Sequence, residues 1–65
     1  MKFRVNGETT ESKAQTLAAL LADLDYGDAR VATAVNGDFV PAGERGVRPL
    51  VDGDAIEILA PMQGG

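Results

Sequence analysis

Sixty-five residues make one domain, residues 1–65, and a chain of this size buries only about 60 % of the surface its unfolded form exposes. Ten acidic against six basic residues give a net charge of −4, which phosphate backbones repel, so nucleic acid is excluded as a partner of this chain alone. With no Cys, His or Trp it has no disulfide or thiolate metal site to lean on, and its 45 % hydrophobic content falls in stretches far too short for a membrane.

That content suffices for one aliphatic core, and an invaginated active site would compete with the core for the same side chains. Met1-Lys2-Phe3-Arg4 lacks the apolar run of a secretory signal, so the expected setting is cytoplasmic.

Phe3 and Val5 alternate with Lys2 and Arg4, the period of a strand with one buried face. Asn6-Gly7 predicts a type I′ hairpin turn, because both central residues of that turn need positive φ. Residues 8–10 are the expected returning strand. Thr16 is placed as an N-cap, and Leu17, Leu20, Leu21 and Leu24 form one apolar helical stripe. Gly27 is positioned to end that helix in a left-handed cap.

Val31, Thr33 and Val35 predict a third strand with its β-branched residues on one face. Asn36-Gly37 is again a tight turn, and Asp38-Phe39-Val40 starts a short strand that Pro41 stops. Val-Asn-Gly occurs twice, at 5–7 and 35–37, which two hairpins of the same turn chemistry explain better than duplication does. Residues 42–49 read as loop, and Asp52-Gly53-Asp54 as a turn. Ala55 to Ala60 reads as the last strand, with Ile56 and Ile58 inward and Glu57 and Leu59 outward. Pro61 ends it, since proline has no N–H to donate.

The order is ββαββ plus a final strand. It fits an α+β fold, a β-grasp (ubiquitin-like) roll with a mixed sheet of four to five strands packed on one main helix. The expected core is Phe3, Val5, Leu17, Leu20, Leu21, Leu24, Val31, Val35, Ile56 and Ile58, with Val40 and Leu50 beneath the loops.

Little in the chain carries chemistry of its own, and no catalytic residue and no metal ligand is assigned. Ser12 is the only serine, and there is no histidine to activate it. Asp52 and Asp54 form the best carboxylate pair, but Asp-Gly-Asp before a strand reads as a turn. Residues 62–65, Met62-Gln63-Gly64-Gly65, form a flexible tail. Read from the residues alone, Gly64-Gly65 is open to two readings, simple fraying and function. The functional reading rests on the tail's short tether to the last strand and on two residues without Cβ, which thread a narrow channel in extended form. A carboxylate is a poor electrophile. Conversion to a mixed anhydride with AMP makes it a good one, with ATP and Mg supplied by another protein.

The chain resembles the ThiS family, the sulfur carriers of thiamine-thiazole biosynthesis, over essentially its whole length. The resemblance lies in residues 35–41 (Val-Asn-Gly-Asp-Phe-Val-Pro), residues 51–58 (Val-Asp-Gly-Asp-Ala-Ile-Glu-Ile) and the ending Met62-Gln63-Gly64-Gly65. It implies that a ThiF-type enzyme adenylates Gly65, and that a cysteine desulfurase or other persulfide donor supplies sulfur to make the thiocarboxylate. A ThiG-type thiazole synthase then takes that sulfur. The catalysis belongs to the partners, and Gly64 keeps the tail thin for them. The chain departs from many members at Ala60, where they carry a basic residue. A MoaD-like small subunit of molybdopterin synthase, a ubiquitin-like modifier and a binding module with an inert tail are the alternatives. Strand alternation places Leu59 on the sheet face away from the core, with Ala32 and Ala34. Leu59, Ala34 and Met62 are thus the expected partner surface.

Overall fold

The computed structural model describes residues 1–26 and 30–59. Lys2–Val5 (β1) and Glu8–Glu11 (β2) are joined through Asn6 and Gly7, at φ 51° and 86°, so the expected I′ turn is present. The helix, Leu17–Asp23 (α1), starts where Thr16 Oγ1 accepts from the Ala19 N–H at 3.2 Å. Gly27 lies outside the described residues, and the left-handed residue that ends α1 is Asp25, at φ 67°. The Asp25 N–H bonds to the Ala22 carbonyl and the Tyr26 N–H to the Leu21 carbonyl, at 3.2 and 2.7 Å. Those two bonds satisfy carbonyls of the last turn in a Schellman arrangement, with aspartate in the place glycine usually takes.

Ala32–Val35 (β3) and Asp38–Val40 (β4) form the second hairpin, with Asn36 and Gly37 at φ 51° and 87°. The stretch expected as loop after Pro41 instead contains a 3-10 helix, Ala42–Val47. Pro41, at φ −67°, sets its entry, and its carbonyl accepts from the Glu44 N–H at 2.9 Å. No residue of this helix is buried, so no apolar period announces it. The chain then pairs with the start of α1: the Leu17 N–H donates to the Arg48 carbonyl and the Leu50 N–H to the Gln15 carbonyl. Ala55–Leu59 (β5) follows the Asp52-Gly53 turn, and Ala60 lies outside the described residues.

The sheet order is β2-β1-β5-β3-β4. β5 is therefore the central strand, parallel to β1 and antiparallel to β3. With α1 on one face, this is the β-grasp roll, and the sheet has five strands. Phe3, Leu17, Leu20, Leu21, Val35, Val40, Leu50, Ile56 and Ile58 are buried as expected, and Ala14 joins them. Val5, Leu24 and Val31 pack against that cluster half-buried rather than within it, as does Tyr26. Thr33 is buried among these apolar residues at 1 % exposure.

Candidate functional site

The centre of interest is the end of β5, because residues 60–65 follow it directly. Alternation along β5 sends Ile56 and Ile58 into the core and leaves Glu57 and Leu59 on the far face, Leu59 66 % exposed. β3 lies alongside, in a register that pairs Ala32 with Leu59 and Ala34 with Glu57. On its other side β4 pairs Phe39 with Ala34, and Phe39 is 69 % exposed. The two alanines thus floor a shallow apolar slot between Leu59 on β5 and Phe39 on β4, with Glu57 beside it. Large side chains left in water on a small protein mark a contact surface when they stand together around a depression.

Leu59 and Ala34, expected at the partner surface, lie together here with Ala32. Met62, Gly64 and Gly65 lie outside the described residues. The sequence reading leaves Phe39 unassigned to either face. The signal for it is present, because a two-residue Asn-Gly turn that pairs 35 with 38 must pair 34 with 39. Phe39 then shares the face of Ala34.

Two side chains hold β5 from either side. The Ile58 N–H donates to Asn6 Oδ1 at 2.8 Å, while Asn6 Nδ2 donates to the Ile58 carbonyl at 3.0 Å. The Ala55 N–H donates to Asn36 Oδ1 at 3.0 Å, and Asn36 Nδ2 donates to Asp54 Oδ1 at 2.9 Å. The repeated Val-Asn-Gly therefore supplies a turn twice and an anchor for β5 twice.

Asp52, Asp54 and Ser12 are engaged in local structure. Asp54 Oδ2 accepts from the Val51 N–H and Asp52 Oδ1 from the Lys2 N–H, so both carboxylates of the turn are held by backbone. Ser12 Oγ donates to Asp23 Oδ2 at 2.7 Å and accepts from the Ala14 N–H, tying the end of β2 to the last turn of α1. A second depression, lined by Met1, Glu11, Ser12, Lys13, Ala14, Ala19 and Asp23, does not reach β5. No helix among the described residues is long and apolar enough to cross a membrane. Among the described residues there is also no cluster of three or more metal-ligating side chains.

The model of the ThiS family matches residues 3–65. The chain is 36 % identical over 61 residues to the sulfur carrier protein ThiS of Thermus thermophilus, a match covering 94 % of this chain and 95 % of that protein. Its fold superposes on the crystal structure of the thiamine biosynthesis protein ThiS of Geobacter metallireducens with a TM-score of 0.85, at 29 % identity and complete coverage of both chains. The solution structure of a thiamine biosynthesis protein from Geobacter metallireducens gives a TM-score of 0.78 at 30 % identity, covering 100 % of this chain and 88 % of that one.

Proposed function

Because the chain belongs to the ThiS family, we propose that it is a carrier rather than a catalyst, and that its C-terminal Gly65 takes up sulfur for thiazole formation in thiamine biosynthesis. The observation that carries this reading is that the family match runs through Gly64-Gly65. In sequence these glycines come a few residues after the central strand, whose last residue, Leu59, walls an exposed apolar slot.

The chemistry follows from the carboxylate. A ThiF-type enzyme holds ATP and Mg, and a Gly65 oxygen attacks the α-phosphorus, expelling pyrophosphate and leaving an acyl-adenylate. The outer sulfur of a persulfide, from a cysteine desulfurase or other donor, attacks the acyl carbon and expels AMP. A thiol then cleaves the acyl disulfide, leaving the Gly65 thiocarboxylate, which gives its sulfur to a ThiG-type thiazole synthase. Gly64 and Gly65 present no Cβ to obstruct any of these approaches. Such ATP-dependent traffic belongs in the cytoplasm. The slot between Leu59 and Phe39 is the surface by which the ThiF-type enzyme seats the carrier.

Intact mass spectrometry after incubation with a ThiF-type enzyme, ATP, Mg and a persulfide donor tests this. The expected product is heavier than the parent by the difference between a sulfur and an oxygen atom. Deleting Gly65 should abolish that product without lowering the unfolding temperature, since terminal residues contribute little to the fold. A parent chain that never forms the adenylate or the heavier species refutes the reading.

A further inference from the structure

β1 and β5 are parallel, and the last ladder bond that β1 makes with its own backbone is from the Asn6 N–H to the Ile56 carbonyl, at 2.9 Å. At Asn6 the chain turns away into the I′ hairpin. Ile58, two residues further along β5, has lost its neighbour on that side. Its N–H and C=O are nevertheless both bonded, because the Asn6 carboxamide has the same acceptor and donor as a peptide group and faces both of them. The side chain acts as one more rung of the ladder after the backbone has left it.

We propose that Asn6 is a positioning residue for the modification of Gly65, holding the end of β5 at Ile58 in the orientation from which the sequence runs on to Gly65. The inference rests on the carrier reading above. Ile58 is the last residue of β5 but one, and Leu59 beyond it pairs with Ala32 of β3, so the two Asn6 bonds hold the end of β5 on the side that β3 does not cover. A tether of six residues limits how far the carboxylate can reach from its root, so a displaced root displaces the region the carboxylate can occupy. An adenylating enzyme that grips the face across β3, β4 and β5 needs the carboxylate at a fixed offset from that grip. Asparagine is suited to the place for two reasons. It tolerates the left-handed φ of 51° that the turn imposes, and its amide is short enough to reach the neighbouring strand.

Asn36 is an internal control. It sits in the same dipeptide at the same φ of 51°, and its amide also anchors β5, but at Ala55, the end remote from the tail. Asn6→Gly and Asn36→Gly keep each turn unstrained and remove only the carboxamide.

Both variants and the parent are compared, at a temperature where each is folded by circular dichroism, in ATP-dependent adenylation by a ThiF-type enzyme and in the nitrogen-15 order parameter of the Leu59 amide. Asn6→Gly should lower kcat roughly ten-fold or more, with KM for the carrier within about two-fold, because docking is intact and alignment is not. It should also lower the order parameter at Leu59. Asn36→Gly should match the parent in kcat and at Leu59. Parental kcat in Asn6→Gly, or an equal loss of kcat in Asn36→Gly, overturns the positioning role and leaves the carrier reading standing. An unchanged order parameter at Leu59 in Asn6→Gly overturns it without reference to activity. A parent chain that is not adenylated overturns the carrier reading, and the positioning role with it.

Discussion

Thr33 shows what a single hydroxyl does in this fold. It lies on the inward face of β3, where the neighbouring positions are valines, and its Oγ1 donates to the Val40 carbonyl at 2.8 Å. The same oxygen accepts from Arg45 Nε at 3.0 Å, and the Arg45 guanidinium also bonds to the Val31 carbonyl. One buried threonine thus links β3, β4 and the 3-10 helix. Thr33→Val keeps the shape and the strand propensity but leaves the Val40 carbonyl and one guanidinium N–H short of a partner. It should cost about 1–3 kcal/mol, read from the urea midpoint at unchanged slope. The alternation of Val31, Thr33 and Val35 reveals the buried face. It does not reveal why position 33 is threonine, because that reason sits twelve residues away on a helix with no apolar period. The two Asn-Gly pairs divide the same way: their turns are local and legible, while their bonds to β5 depend on which strand becomes the neighbour.

Among the elements, α1 is the clearest in sequence and the weakest by itself. Its seven residues fall short of the roughly 12–15 that an isolated helix needs in water, so it exists because its leucine stripe is covered. Leu17, Leu20 and Leu21 are 0–4 % exposed against the sheet. Leu21→Ala should therefore cost on the order of 2–5 kcal/mol. That approaches the whole stability expected of so small a core, so the variant should show a large loss of folded population at 37 °C by circular dichroism. A heat-resistant Leu21→Ala protein means the stripe does not carry the packing. The strands were legible from alternation and the turns from Asn-Gly. The 3-10 helix was not, because it buries no side chain and is held by a proline carbonyl and an arginine reaching across to β3. The end of α1 was legible only as to its kind: a left-handed residue follows the helix, and the glycine rule points past the aspartate that fills the position.

At the scale of the molecule, an acidic protein carries an apolar slot at the end of β5. In the carrier reading, that slot meets an apolar surface on the adenylating enzyme, and the surrounding negative charge favours a basic rim there. Leu59→Glu should leave the unfolding midpoint within about 0.5 kcal/mol, since the side chain is largely in water. It should raise KM for adenylation roughly ten-fold, as expected for a charge at the centre of a contact. Val51→Glu, at a valine 62 % exposed elsewhere on the surface, supplies the comparison and should match the parent. Equal KM values for Leu59→Glu and the parent would leave the slot without a role.

The place of β5 in the sheet has a consequence for how the protein is made. The two hairpins, β1 with β2 and β3 with β4, each close through nearby residues, but within the sheet they are joined only through the strand between them. That strand is synthesised after both. When synthesis has reached Asp54 both hairpins have been made, each marginal alone, but the strand that pairs them into one sheet has not. Only when Ala55–Leu59 emerges does the sheet close across its middle and α1 gain a complete floor. The slot between Leu59 and Phe39 comes into being at that same moment, since one of its walls is the last strand itself. A partner that recognises this slot therefore meets only molecules whose final strand has been made and laid into place.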